Sequence, residues 1–203
     1  CRGGRRQGHD ARADLDRVMA DAVPALVRDP FLQYNAGPGE SASMDDLDQI
    51  LNYLPIGPDL GTAGQPGREQ FAQLRAAGYE VVVNLAMPTS TGALPDEAEL
   101  VAAQGMAYVA IPVAWEAPTE ADLERFFEVM GRWRGRRVLA HCALNMRVSA
   151  FVFLYRVLRL GVPVDVAREA MHRIWQPEGN WAAFVDGVLA RRGPALQETA
   201  EGA

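Results

Sequence analysis

Between residues 52 and 192 the chain switches repeatedly between two hydrophobic periods. Short runs of β-branched residues bounded by Gly, Pro and Asn alternate with stretches in which apolar residues recur every three to four positions. The first kind predicts strands over residues 52–56, 79–85, 106–113 and 137–141, with a second short extended piece inside the turn-rich segment 57–67. The second kind predicts helices over 68–77, closed by Gly78, and over 96–104, ended by Gly105. A longer helix is expected over 120–133, with Thr119 as its cap and Asp122 completing an imperfect capping box. Three more follow over 148–160, 164–174 and 181–191, and residues 87–95 read as a loop.

Strands alternating with helices predict an α/β fold: a mostly parallel central sheet of about four to five strands with helices on both faces. Ligands bind such sheets beyond the carboxyl ends of the strands. The first part of the chain lacks this pattern. Residues 1–9 are Arg- and Gly-rich and read as disordered, 11–28 have helical spacing interrupted by Pro24, and 33–44 read as a linker. Ser43 is a candidate cap for a short Asp-rich turn through Ile50. The expected organisation is a flexible or partly helical extension over 1–45, one domain over 46–192 and a frayed tail over 193–203.

Composition changes this picture little. The 203 residues are 49% hydrophobic, enough for a full core, and 23% charged, as in ordinary soluble domains. A net charge of −6 does not suggest a nucleic-acid partner. No apolar run approaches membrane-spanning length, and there is no internal repeat. The two cysteines, Cys1 and Cys142, are expected to be unpaired, since a bridge would tie the terminus to the most chemically suggestive loop. His9, His141 and His172 are scattered, none at a zinc-ligand spacing with the cysteines, so neither metal nor cofactor is implied. The start at Cys1 fits a mature bacterial lipoprotein, whose lipid-bearing cysteine becomes residue one, or a trimmed gene fragment. The expected location is cytoplasmic, or the envelope by a lipid anchor under the first reading.

The chemistry concentrates in Val138-Leu139-Ala140-His141-Cys142-Ala143-Leu144-Asn145-Met146-Arg147-Val148-Ser149. An apolar strand ends in His-Cys, and a strongly apolar helix follows Arg147. A cysteine between a buried strand and a helix start meets converging N–H groups and the positive end of the helix dipole. That is the setting of thiolate nucleophiles. An arginine in the same loop offers a planar fork matched to two oxyanion oxygens. A buried Arg147 needs an anionic partner: either a bound oxyanion or a carboxylate of the protein.

This stretch resembles the His-Cys-x5-Arg-Ser/Thr loop of cysteine-dependent tyrosine and dual-specificity phosphatases. It departs in one place: four residues, not five, separate Cys142 from Arg147. The shorter spacing also occurs in the phosphatase-like domains of beta-lactamase-hydrolase-like bacterial proteins and in rhodanese-type sulfurtransferase loops. From about Asn52 to Val188 the chain is similar to bacterial members of the dual-specificity-phosphatase-like superfamily. The pieces that match are Thr62-Ala63-Gly64-Gln65-Pro66, Ala77-Gly78-Tyr79 leading into Val82-Val83-Asn84-Leu85, Gly105-Met106-Ala107-Tyr108 leading into Ile111-Pro112-Val113, and Pro118-Thr119. The run from Cys142 to Phe151 is the strongest, and Trp175, Pro177, Trp181 and Phe184 also fit.

The resemblance implies a cysteine-dependent phosphatase. Cys142 would be the nucleophile, with Arg147, Ser149 and the loop residues Ala143, Leu144, Asn145 and Met146 holding phosphate. Ser149 would either donate to the thiolate or satisfy backbone at the helix start, and His141 would orient the loop. Asn145 suits a tight turn because Asn tolerates left-handed backbone. The related enzymes take a proton donor from an Asp after the preceding strand. Here Ala114-Trp115-Glu116-Ala117-Pro118-Thr119-Glu120 offers Glu116, with Glu97 and Glu99 as alternatives. Trp115, Trp175 and Trp181 either line a cleft or pack as core and rim. The implied partner is a phosphorylated small molecule or a phosphoprotein. Two other classes stay open: a non-catalytic oxyanion-binding module, and a rhodanese-like sulfurtransferase.

Overall fold

A computed structural model of the chain describes residues 47–193. The readings of 1–45, with the Ser43 cap, and of the tail beyond residue 193 fall outside these residues. Five short strands form one sheet: β1 (Leu54–Gly57), β2 (Leu60–Ala63), β3 (Val81–Asn84), β4 (Ala107–Ala110) and β5 (Val138–His141). Six helices connect and cover them: α1 (Gln70–Ala76), α2 (Glu97–Ala103), α3 (Glu120–Arg132), α4 (Met146–Leu160), α5 (Val164–His172) and α6 (Gly179–Arg192). No helix among the described residues is long and apolar enough to cross a membrane.

The strand order is β1-β2-β5-β3-β4. Only the β1–β2 pair is antiparallel; β5 runs parallel to β2 on one side and to β3 on the other. The last strand in sequence is therefore the middle strand in space. Leu139 pairs with Gly61 and Val82, and His141 with Ala63 and Asn84. All four residues of β5 and of β3 are buried, as expected for strands covered on both faces.

Strand alternation divides the core in two. Val81, Val83, Val138 and Ala140 face a large cluster with Leu123, Phe126, Phe151, Trp181 and Val185 from α3, α4 and α6. Val82 and Leu139 face the other side, where Phe71 and Leu74 of α1 and Val101 of α2 meet Leu47 and Ile50. The helices thus lie on both faces of a mostly parallel sheet. Predicted elements and observed ones agree in kind and order, and their ends differ by at most three residues. Two differences matter. Thr119 and Asp122 form the full reciprocal capping box, each side chain bonding the other's backbone N–H. Helix α4 begins at Met146 instead of Val148, because its N-terminus is set by Asn145, at φ 67°, and not by the first core residue. Arg147 consequently sits in the first helical turn, not on the loop.

Candidate active site

Strand β5 stops at His141, so Cys142 emerges at the carboxyl end of the middle strand. Its thiol is free and 1% exposed. The loop that follows is held from the β2 side. Cys142 N–H donates to Ala63 O at 3.3 Å, and Gln65 N–H donates to Ala143 O at 3.1 Å. Gly64 makes this approach possible. A Cβ there would stand 2.9 Å from Leu51 Cγ and 3.0 Å from the Ala143 carbonyl oxygen. The backbone N–H groups of Ala143, Leu144, Met146 and Arg147 donate to no backbone group among the described residues. The last two belong to the helix start, where such groups lack intrahelical partners.

Arg147 is 8% exposed, yet takes part in none of the ion pairs among the described residues. Its buried Nε has no partner, and its guanidinium carbon lies 5.5 Å from the centre of the Trp115 ring. Of the two partners the sequence allowed, a protein carboxylate is therefore absent among these residues. Burying an uncompensated cation is costly, and a bound oxyanion would offset that cost.

A cleft of about 360 Å³ opens over this point. Its floor and one wall are Cys142, Ala143, Leu144, Met146 and Arg147; the opposite walls are Trp115 with Glu116, and Met87, Thr89, Ser90 and Thr91. The site thus gathers Glu116 with the cysteine loop although it lies after a different strand. The side chains of Asn145 and Ser149, expected among the phosphate contacts, lie beneath the loop instead. Asn145 Nδ2 donates to Asn52 O at 2.8 Å and to Thr62 Oγ1 at 2.9 Å. Ser149 Oγ donates to Met146 O at 2.9 Å and accepts from Trp175 Nε1 at 3.0 Å. Its one proton is thereby used on backbone.

His141, immediately before the loop, meets a buried carboxylate that the sequence offered as a proton donor, Glu97 of α2. Its Nε2 lies 2.6 Å from Glu97 Oε1, and the pair is fully enclosed. Glu97 Oε2 accepts from Asn84 Nδ2 at 3.1 Å and from Gln65 Nε2 at 3.0 Å. Asn84 Nδ2 also reaches Tyr108 OH, whose pKa is raised by burial and, next, by the Glu97 charge. Glu97, an alternative proton donor on the sequence, is 2% exposed, fully engaged and not on the cleft. Glu99 is exposed on the same helix and also misses the cleft.

The tryptophans divide as well. Trp115 lines the cleft, Trp181 is fully buried in the core with its Nε1 donating to Trp115 O, and Trp175 buttresses the loop through Ser149 and Met146. Sequence reasoning missed Asn52, Thr62 and Gln65 as supports and Met87 to Thr91 as a wall. The matched Thr62–Pro66 piece was the one available signal.

A central strand ending in His-Cys, a loop closed by a helix-start arginine and helices on both faces together define the fold of the tyrosine- and dual-specificity-phosphatase-like superfamily. Over 75% of its length and all of the other chain, the protein is 37% identical to the DUF442 phosphatase-like protein of Shewanella putrefaciens CN-32, with a TM-score of 0.68. The chain belongs to that DUF442 family. Pseudomonas aeruginosa TpbA in complex with phosphotyrosine shares the fold at 20% identity and a TM-score of 0.55, over 70% of this chain and 90% of that one. The beta-lactamase hydrolase-like protein of Xylella fastidiosa is 30% identical over 111 residues, 53% of this chain. The matched stretch spans 26%, about a quarter, of that relative's length. No protein-family model matches the chain.

Proposed function

We propose that the chain hydrolyses a phosphomonoester through a cysteinyl-phosphate. The observation that carries this reading is Arg147: a buried guanidinium with no carboxylate partner among the described residues, on the same cleft as the Cys142 thiol. The Cys142 thiolate attacks phosphorus; the P–S bond forms as the bond to the leaving oxygen breaks, and Glu116 protonates that oxygen. Arg147 and the unpartnered loop N–H groups hold the equatorial oxygens, and this fixed electrostatic complement supplies most of the rate. Water then attacks phosphorus, Glu116 accepts its proton, and the thiolate leaves with release of inorganic phosphate.

The TpbA complex makes an aryl phosphate the natural first probe, for a phosphorylated small molecule or a phosphoprotein as the physiological partner. The test is turnover of p-nitrophenyl phosphate by the full chain and by Cys142→Ser, from mildly acidic to neutral pH. The expected result is a loss of at least about 10³-fold in the variant. Equal activity in both proteins overturns the cysteine mechanism.

A second reading, oxyanion binding without turnover, is favoured by the four-residue Cys–Arg spacing and by the absence of Asp between Ala114 and Thr119. It predicts phosphate binding that depends on Arg147 in a chain that hydrolyses nothing. The same spacing keeps a sulfurtransferase in view, and cyanide-dependent release of thiocyanate from thiosulfate is its assay.

A further inference from the structure

Among the described residues, two that are not glycine have a left-handed backbone: Asn52 at φ 49° and Asn145 at φ 67°. They are 93 positions apart in sequence and hydrogen-bonded in space, Asn145 Nδ2 donating to Asn52 O at 2.8 Å. The bond is answered in the other direction one residue along, where Asn52 Nδ2 donates to Leu144 O at 3.1 Å. Asn145 Nδ2 also reaches Thr62 Oγ1, which in turn donates to Leu54 O. The turn that carries Asn52 is closed by Tyr53 N–H donating to Ile50 O at 3.0 Å and tied to the end of β2 by Gly64 N–H donating to Leu51 O at 2.6 Å.

A left-handed residue with a side chain costs free energy, least so for Asn, and such geometry persists where the surroundings hold it. Here two such residues hold each other. The effect falls on the crest of the cysteine loop. A peptide unit is planar, so a bond to its carbonyl fixes its N–H as well. Gln65 N–H fixes the Ala143–Leu144 peptide, and Asn52 fixes the Leu144–Asn145 peptide. Both peptides flanking Leu144 are thereby set before any ligand arrives. A loop with only four residues between Cys142 and Arg147 has little room to brace itself from within.

We infer that Asn52 is a positioning residue for the oxyanion loop, acting through Leu144 and Asn145 without touching the ligand. The inference rests on the reading of that loop as an oxyanion site. Both side chains are neutral amides, so they contribute geometry and not charge: removing them weakens anion binding through lost preorganisation.

The test is titration calorimetry of the full chain with inorganic phosphate, alongside its melting temperature. Asn52→Gly tolerates φ 49° and removes only the side-chain clamp. The expected result is phosphate binding weakened about fivefold to tenfold, as for one or two lost hydrogen bonds, with the melting temperature lowered by no more than about 4 °C. A merely structural role would lower the melting temperature and leave the affinity of the folded protein unchanged, which overturns the inference. Asn145→Gly removes the reciprocal bonds, to Asn52 O and Thr62 Oγ1, and serves if Asn52→Gly does not fold. The double variant should bind more tightly than two independent losses allow, since the two bonds brace each other and losing either loosens the one that remains. Strictly additive losses count against a shared clamp. If wild type binds no phosphate, the oxyanion reading fails and the inference with it; if wild type binds and Asn52→Gly binds equally, the inference alone fails.

Discussion

The imidazole Nε2 of His141 lies 2.6 Å from Oε1 of Glu97, 44 positions earlier in the chain. The contact joins the residue before the candidate nucleophile to the first turn of α2, where the positive end of the helix dipole favours a carboxylate. Glu97 is thus the hub of the polar layer beneath the loop, receiving His141, Asn84 and Gln65.

Such a pair is not by itself evidence of net stabilisation, but removing one partner strands the others in the interior. Glu97→Ala should therefore cost about 3 kcal/mol, since it leaves His141, Asn84 and Gln65 without their buried partner. Urea unfolding monitored by tryptophan fluorescence measures it. A loss under about 0.5 kcal/mol, as for an ordinary surface change, would rule out the hub role.

Arg147→Lys keeps a positive charge and discards the planar fork. If Arg147 holds two phosphoryl oxygens in the transition state, kcat/KM for an aryl phosphate should fall about 10²-fold or more. A change below about threefold would mean that charge alone suffices and bidentate geometry plays no part.

Glu116→Gln separates a proton donor from a bystander on the cleft wall. For phenyl phosphate, whose leaving group needs a proton, kcat should drop about 10²-fold, with loss of the fall in rate on the alkaline side. For p-nitrophenyl phosphate, whose leaving group departs unprotonated, the drop should be much smaller. Equal drops for the two substrates rule out protonation of the leaving group as the role of Glu116 and leave binding or the shared hydrolysis step.

Tyr79 lies away from the cleft, buried against Arg137 and hydrogen-bonded to Tyr53 at 2.8 Å between hydroxyl oxygens. Burial, followed by the Tyr53 bond, pushes its hydroxyl well above the ordinary tyrosine range. Raised in the folded state, the group favours folding fully below the unfolded value, about pH 10, and that contribution is lost as pH rises further. The unfolding free energy should decline above about pH 10, and less steeply in Tyr79→Phe. Identical alkaline slopes in the two proteins would falsify this assignment.

Much of the architecture is legible without coordinates. The β-branched run through Val81, Val82 and Val83 and the apolar run from Val148 announce elements buried on most sides, because that residue usage suits only covered positions. The His141-Cys142-to-Arg147 loop declares itself the same way, as its parts are consecutive. What sequence could not supply is everything that pairs across distance. Glu97 reads as an alternative proton donor because the first turn of a helix says nothing about which side chain meets a histidine from another strand. Asn52 reads as the first residue of a strand, whereas it is a left-handed turn residue before β1 whose partner comes 93 positions later.

By itself, then, the sequence determined the order and kind of the elements and the candidate cysteine–arginine loop, since these follow from local periodicity and adjacent residue chemistry. Only the tertiary structure decided that β5 inserts between β2 and β3, and that Arg147 is buried with no carboxylate among the described residues. It likewise decided that Glu116 shares the cysteine's cleft whereas Glu97 is spent beneath it. Those outcomes depend on strand order and on the burial it imposes, and burial selects which polar groups must find one another.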